Sequence, residues 1–246
     1  MELFIFHSFV VAHIITGSIG AIAFWVPVIG RKGGVNHKRW GKIFTVCMLI
    51  TGAFAIGMSL LTLYAPMETH PHLEGMFDVP FIRGIFGWLM LHMGILTINL
   101  AWYGWLCVQN RRDHAANLTK LNIALQFILI IAATNSAIQG FMIGQFLMIG
   151  LTVVGLATAA TNLRFLYKPV RGPNDWLDEH IKALVGAGIS VYTAFFAFGS
   201  VRILPELALH PGLWSIPLVT GIALILYHQR NVARQYRARR EASYAS

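Results

Sequence analysis

Seven long apolar runs restrict this 246-residue chain to one kind of architecture. Each run has about 18 residues or more, enough for a helix to cross a hydrocarbon core of about 30 Å. Charged residues make up only 12% of the chain, about half of their share in soluble domains. The sequence therefore predicts an all-α polytopic membrane bundle of seven transmembrane helices. The predicted spans are 4–29, 42–64, 83–108, 119–138, 143–166, 183–203 and 212–229.

The fourth and fifth spans are almost continuous in sequence. One helix over residues 119–166 would be about 72 Å long, more than twice the hydrocarbon thickness. A turn near the polar residues Asn135, Ser136, Gln139 and Gly140 is therefore expected to separate them.

Positive charge is concentrated on one side of this map. Seventeen of the nineteen Lys and Arg residues fall in the loops and tail that share the side of the C-terminus, against Arg83 and Arg202 on the other. Cytoplasmic loops carry an excess of Lys and Arg. The pattern therefore predicts a cytoplasmic C-terminus and, with seven spans, an N-terminus outside. The seventeen are Arg31, Lys32, Lys38, Arg39, Lys42, Arg111, Arg112, Lys120, Arg164, Lys168, Arg171, Lys182, Arg230, Arg234, Arg237, Arg239 and Arg240.

The same charges define two regions, a seven-helix transmembrane domain over residues 1–229 and a basic cytoplasmic tail over residues 230–246. The net charge of +9 is explained mostly by the Lys and Arg residues that set the orientation of the chain in the membrane. Because the chain has no separate basic domain, it is not expected to bind nucleic acid. The tail is expected to lie along anionic lipid headgroups, where each cation contributes about 1 kcal/mol. The alternative is a solvated tail that only sets orientation.

Histidines are the ionisable side chains that lie nearest the interior of the predicted membrane spans. His13 and His92 each lie nine residues into spans that run inward, about 14 Å below the outer helix ends. Two imidazoles at one depth suit the axial positions of a b-type haem, and nearby glycines would leave room for its ring. The alternative is that these glycines are helix-packing positions and that each histidine bonds a polar group of another helix.

A second group of histidines lies at the predicted cytoplasmic face: His37, His114, His180 and His228. His37 and His180 are the candidate inner ligands, because each stands in a distinctive polar segment. If both pairs hold haem, electrons would have a path across the membrane. Solvated or lipid-facing histidines are the alternative reading.

The outer loop after the second span alternates acidic residues and histidines. Glu68, His70 and His72 offer carboxylate and imidazole ligands for Cu²⁺ or Zn²⁺. A plain acidic loop is the alternative.

Several functions are disfavoured by what the sequence lacks. The span interiors contain no Asp or Glu, so the carboxylate relay of many proton pumps and cation-coupled transporters is missing. Walker loops, nucleophile elbows and His-Glu-x-x-His helices are also absent, and enzyme activity is left open. Polar residues around the fourth and fifth spans either line a cavity or join the helices.

Three segments carry a resemblance to a known family: His-Ile-Ile-Thr-Gly at 13–17, Arg-Lys-Gly-Gly at 31–34 and His-Lys-Arg-Trp-Gly-Lys at 37–42, with His180 and Thr-Ala-Phe at 193–195 further along. The chain resembles uncharacterised bacterial multispanning membrane proteins grouped as a domain of unknown function. His13, His37 and His180 match that pattern. The resemblance implies a multi-pass protein of the bacterial inner membrane, and the family is distantly similar to two-haem b-type cytochromes.

These observations favour a haem b redox or electron-transfer protein with His13 and His92 as outer ligands and His37 and His180 as inner ones. The first alternative is a small-molecule or ion transporter or sensor that uses the bundle histidines. The second is a cofactor-free structural subunit of a membrane complex. Partners beyond the lipid bilayer would be further copies of the chain or other subunits of such a complex.

Overall fold

The computed structural model describes residues 1–196 and 210–244, which form helices joined by short turns and contain no strand. The helices are α1 (Glu2–Ile29), α2 (Val35–Tyr64), α3 (Pro66–Thr69), α4 (Val79–Ile82), α5 (Met90–Gln109), α6 (Lys120–Met142), α7 (Phe146–Leu166), α8 (Asp175–Ala194) and α9 (Pro211–Tyr244). A π-helical segment (Arg83–Leu89) joins α4 to α5, and short 3₁₀ helices lie at Pro71–Leu73 and His114–Asn117. The prediction of an all-α fold is confirmed.

Six segments in the described part of the chain are long and apolar enough to cross a membrane: Glu2–Ile29, Val35–Tyr64, Val79–Gln109, Lys120–Met142, Phe146–Leu166 and Gly212–Ala238. The chain is therefore a multi-pass helical protein. These segments correspond to six of the seven predicted spans. The remaining one, 183–203, begins within α8, but its residues 197–203 lie outside the described residues. Helix α9 continues without a break past residue 229 into the basic tail.

The continuous segment from α4 to α5 forms the centre of the bundle. Half of the apolar window of Val79–Gln109 is buried, against 17–28% for the other five segments. Helix α5 packs against α2, α6 and α8, while α1 packs on α2, α7 on α6 and α9 on α8. Side chains on α5 are therefore the ones best placed to meet residues from several helices.

Apolar side chains fill the bundle and also cover its surface. Phe24, Phe44, Met48, Leu100 and Tyr103 belong to the largest buried cluster. Large exposed apolar residues lie on α1, α6 and α7, including Ile14, Ile22, Ile131, Phe141 and Val153. An apolar exterior of this extent suits contact with lipid rather than water.

Glycines bring α2 and α5 into close contact. A Cβ atom added at Gly52 would lie 3.1 Å from the Gly94 carbonyl oxygen, and one added at Gly94 would lie 3.2 Å from the Gly52 carbonyl oxygen. Small residues at such crossings let membrane helices approach backbone to backbone. Gly94 is one of the glycines near His92 that were expected to leave room for a haem ring, and the side of it that a Cβ atom would occupy is filled by α2.

The turn between α6 and α7 lies later than the polar residues suggested. Helix α6 continues through Asn135, Ser136 and Gln139 to Met142. The chain then turns at Gly144, whose φ of +68° is in the left-handed region that favours glycine. The expected turn near residues 135–140 was therefore wrong, because those polar side chains lie within the helix, where Ser136 is buried.

Candidate functional site

His37 and His180 meet where the N-terminal ends of α2 and α8 come together. His37 lies in the first turn of α2 and His180 in the second turn of α8. Their ring centroids are 6.4 Å apart and their planes are inclined by 59°. The structure thus brings together the two histidines that the sequence selects as inner ligands.

Each of these rings is oriented by a carbonyl of a third helix. His37 Nδ1 is 3.2 Å from the Pro27 carbonyl oxygen of α1, and His180 Nδ1 is 3.1 Å from the Gly104 carbonyl oxygen of α5. A carbonyl oxygen only accepts hydrogen bonds, so Nδ1 carries the proton in both rings. This leaves the lone pair on Nε2, the arrangement found in most metal-ligating histidines.

The surroundings of His37 are positively charged and locally open. The Lys32 ammonium donates a 2.8 Å hydrogen bond to the same Pro27 carbonyl oxygen that accepts from His37. Lys38 follows His37 directly in sequence and is exposed. One turn further along α2, a Cβ atom added at Gly41 would meet no neighbouring atom within 4 Å. The surface of α2 at Gly41, one helical turn after His37, is therefore not covered by another part of the described chain.

A charged cluster that the sequence analysis missed lies beside His180. The Tyr103 hydroxyl donates a 2.7 Å hydrogen bond to Glu179 Oε2, which also accepts a hydrogen bond from Lys182. Lys182 Nζ donates a second hydrogen bond, of 3.2 Å, to the Thr161 hydroxyl of α7. The residues adjoining His180 are thus fixed to both α5 and α7. The available signal was the spacing of Glu179 and Lys182, which places both on one helix face.

His13 lies in the N-terminal half of α1 and faces α2. Its Nδ1 is 3.0 Å from the Thr51 carbonyl oxygen, so this ring also has its proton on Nδ1. The Thr51 hydroxyl in turn donates to the Thr16 hydroxyl at 2.8 Å. Next to them, a Cβ atom added at Gly17 would lie 3.5 Å from Thr51 Cγ2. The small residues near His13 therefore serve the contact between α1 and α2.

His92 faces other helices. Its side chain is completely buried, and neither ring nitrogen has a hydrogen-bond partner. The ring lies against α7, where a Cβ atom added at Gly155 would be only 2.3 Å from His92 Nε2. His13 therefore contacts α2 while His92 contacts α7. The pairing of His13 with His92 as outer haem ligands stays a prediction.

The outer loop packs one of its histidines into the bundle. His70 is buried, with its ring centroid 5.0 Å from that of Phe6 and 4.6 Å from that of Phe86. Burial lowers the pKa of His70 to about 4. Glu68 and His72 are exposed. Within residues 1–196 and 210–244 no three His, Cys, Asp or Glu side chains are grouped closely enough to hold a metal ion. Metal binding by Glu68, His70 and His72 stays a prediction.

The two other inner histidines are occupied by local contacts. His114 Nε2 donates to the Leu166 carbonyl oxygen at 3.0 Å, and its ring meets Phe165 edge to face at 4.6 Å. Burial lowers the pKa of His114. His228 lies against Tyr227 on α9, with ring centroids 5.2 Å apart. Two pairs of described histidines have ring centroids about 6 Å apart, His70 with His72 at 6.0 Å and His37 with His180 at 6.4 Å. In the second pair the rings come from two long helices, and both Nδ1 atoms are bonded to backbone carbonyls.

The chain matches no family model, no curated protein and no solved structure. The resemblance to uncharacterised bacterial multispanning proteins therefore stays a prediction, and function has to be inferred from the site.

The donor set at His37 and His180 restricts the cofactor that could bind there. Zinc and copper sites in proteins commonly take three or four protein ligands, and the described residues contain no group of three. A porphyrin supplies four equatorial nitrogens itself and needs only two axial ligands from the protein. A donor set of two imidazoles with free Nε2 lone pairs therefore suits a b-type haem, and cofactor binding by His13 and His92 stays a prediction.

Proposed function

We propose that this protein is a membrane-bound redox protein that holds a b-type haem between His37 and His180 at the cytoplasmic end of the bundle. The observation that carries the proposal is the pairing of these two rings, 6.4 Å apart between centroids, each with Nδ1 bonded to a backbone carbonyl. With metal–nitrogen distances of about 2 Å, two imidazoles on opposite sides of one metal have centroids about 6 Å apart. The observed separation agrees with that requirement.

The protein's own residues would hold and orient the group. His37 and His180 would bind through Nε2, while the carbonyls of Pro27 and Gly104 fix the two rings through Nδ1. A bound haem supplies one-electron chemistry, with a potential set by its axial ligands and surroundings. Lys32 and Lys38 near His37 would supply positive charge that attracts the carboxylates of a haem b.

The membrane arrangement belongs to the same proposal. Seven spans with the N-terminus outside would place His37, His180 and the basic tail together at the cytoplasmic surface of a bacterial inner membrane. The distribution of Lys and Arg supports this orientation. The tail would then lie along anionic headgroups, and the haem would exchange electrons with a partner on the cytoplasmic side.

An absorbance spectrum tests the proposal directly. The full chain, purified in detergent from haem-replete cells, should show a Soret band together with α and β bands that appear on reduction with dithionite. His37→Ala and His180→Ala should each remove these bands or convert them to a high-spin form.

His13→Ala is the matched control, because it also deletes an imidazole with an interhelical Nδ1 hydrogen bond. Its spectrum should equal that of the unchanged protein. A colourless preparation, or bands that depend on His13 and His92 but not on His37 and His180, would contradict the proposed site. A colourless protein that takes up solute in liposomes would favour the transporter alternative, and one that co-purifies with other subunits would favour a structural role.

A further inference from the structure

Buried polar side chains that lack partners are confined to one side of the bundle. Within residues 1–196 and 210–244, every buried side-chain nitrogen or oxygen without a hydrogen-bond partner belongs to α5, α6 or α7. Buried donors and acceptors are almost always paired in folded proteins, and leaving one unpaired inside a membrane is especially unfavourable. Eight such atoms on three adjacent helices call for a common explanation. They are His92 Nδ1 and Nε2, Asn99 Nδ2, Trp102 Nε1, Asn122 Oδ1, Asn135 Nδ2, Ser136 Oγ and Asn162 Oδ1.

A chain of hydrogen bonds connects this region with the loop that follows α5. Half-buried Asn110 donates to the Asn117 side chain at 2.9 Å, and Asn122 donates to the Asn117 carbonyl oxygen at 2.9 Å. Gln126 then donates to the Asn122 carbonyl oxygen at 3.2 Å. The chain thus enters the bundle along the first two turns of α6.

The chain continues across the three helices. Asn162 Nδ2 of α7 lies 3.2 Å from Gln126 Oε1 of α6 and 3.1 Å from Asn99 Oδ1 of α5. Asn99, Gln126 and Asn162 are each completely buried. Asn99 lies ten residues from the end of α5, or about 15 Å along the helix axis. Hydrogen-bonding groups therefore extend from the loop to the middle of the bundle.

His92 lies beyond this chain on the same face of α5. It precedes Asn99 by seven residues, two helical turns, or about 10 Å. Gly155 of α7 and Ala133 of α6 lie at the level of His92, and the buried apolar residues Leu96, Leu129 and Ala159 lie between that level and the amides. His92 therefore shares a face of α5 with Asn99, two helical turns away from the amides.

Joining the helices does not account for all of these groups. If Asn99 and Asn162 served only to join α5 to α7, their one mutual hydrogen bond would suffice. The pair leaves a donor, Asn99 Nδ2, and an acceptor, Asn162 Oδ1, both buried and without partners. Water donates and accepts at once, and buried waters typically make about three hydrogen bonds to such groups.

We propose that α5, α6 and α7 enclose a hydrated compartment that binds ordered water at Asn99, Asn122 and Asn162 and lets His92 exchange protons with the cytoplasmic face. The amides do not titrate, so they position water, and His92 is the group that accepts and releases the proton. Intramembrane ionisable residues commonly mark such relays. This inference does not depend on the site at His37 and His180.

Proton exchange at His92 tests the compartment. The protein, labelled with ¹⁵N-histidine and placed in lipid nanodiscs, is transferred to D₂O, and the loss of imidazole N–H signals is followed by NMR. The His92 signal is assigned by its absence in His92→Gln. It should disappear early, whereas Asn162→Leu, which removes the central amide at similar volume, should slow its loss by about tenfold or more, because bound water carries the exchange.

The His13 signal is the control within the same molecule. Its Nδ1–H is bonded to Thr51 on the far side of the bundle, so Asn162→Leu should leave its exchange unchanged. An Asn162→Ser variant keeps a hydroxyl and should retain faster exchange at His92 than Asn162→Leu. Slow exchange at His92 in the unchanged protein, or exchange that is the same in all three proteins, would overturn the proposal and leave the amides as helix-joining groups.

Discussion

Gly155 is the position where a single methyl group should have the clearest effect on this bundle. Its hydrogen atom faces the buried His92 ring, and a Cβ atom added there would lie 2.3 Å from His92 Nε2 and 3.0 Å from Ala133 Cβ. Non-bonded heavy atoms normally lie about 3.5–4.0 Å apart. Gly155→Ala therefore requires α7 or the His92 ring to move by about 1 Å.

The expected loss of stability follows from two opposing terms. Extra atoms forced into a packed interior cost about 1–3 kcal/mol. Replacing glycine with alanine inside a helix returns about 0.5–1 kcal/mol. The His92 ring is completely buried, so the cost of the added methyl group cannot be relieved by turning the ring out of the bundle. Gly155→Ala should therefore destabilise the protein by up to about 2.5 kcal/mol.

Gly150→Ala is the matched control on the same helix. Gly150 is exposed, and an added Cβ atom would meet no neighbouring atom within 4 Å. Only the helix term applies there, so this variant should be unchanged or more stable by up to about 1 kcal/mol. Thermal unfolding in one detergent should separate the two variants by several degrees, since about 1 kcal/mol corresponds to roughly 2–4 °C at this chain length.

A double variant identifies His92 as the cause. His92→Ala removes the ring that the new methyl group would meet, so Gly155→Ala should cost less in the His92→Ala background than in the unchanged protein. The difference between the two costs is the coupling energy of the pair. Equal stability of Gly155→Ala and Gly150→Ala, or equal cost of Gly155→Ala in both backgrounds, would refute the packing of His92 against α7.

Two further predictions concern the outer loop and the contact between α1 and α8. Burial lowers the pKa of His70 from 6.5 to about 4. Between these two pH values the unfolded chain binds more protons than the folded protein. The free energy of unfolding should therefore decrease as the pH falls from 6.5 to about 4, by on the order of 3 kcal/mol at most. His70→Phe should flatten this dependence in unfolding curves, and an unchanged slope would contradict it. Tyr192 accepts from the Trp25 indole at 2.6 Å and donates to the Ala21 carbonyl oxygen at 3.0 Å. Tyr192→Phe should therefore lower the free energy of unfolding by about 1 kcal/mol, whereas Tyr167→Phe, at an exposed position, should change it less.

Hydropathy predicted most of the helix positions, because a helix that crosses the lipid bilayer must be long and apolar. Six of the seven predicted spans overlap the six apolar helical segments of the described residues, although several helices extend beyond the predicted ends. The extensions have a physical reason, since helices such as α9 continue into a polar, basic segment that hydropathy does not mark. The turn at Gly144 was misplaced because polar residues in a membrane helix can face other helices, so polarity alone does not mark a turn.

The histidine sites were less predictable. Charge patterning gives the direction of a helix and therefore the depth of a residue, and depth alone suggested the pairing of His13 with His92. Whether two side chains meet also depends on how each helix is rotated about its axis. His13 faces Thr51 on α2 and His92 faces Gly155 on α7. The pairing of His37 with His180 depends equally on the packing of α2 and α8, which hydropathy does not describe.

The rotation of a helix about its axis can be predicted from the sequence only where polar or small residues recur on one face of that helix. His92 and Asn99 are seven residues apart, as are Gly155 and Asn162, and Asn122 and Gln126 are four apart. These spacings place each pair on a single face, and in the structure the three faces converge. Single histidines such as His13, His37 and His180 have no such repeat on their own helices. Their faces are instead fixed by carbonyl acceptors at Thr51, Pro27 and Gly104, which any residue type would provide. Residue spacing therefore indicates the polar faces of α5, α6 and α7, although only the packed bundle shows that they converge. The sequence selects His37 and His180 from their local segments, and again only the packing of α2 and α8 brings their rings together.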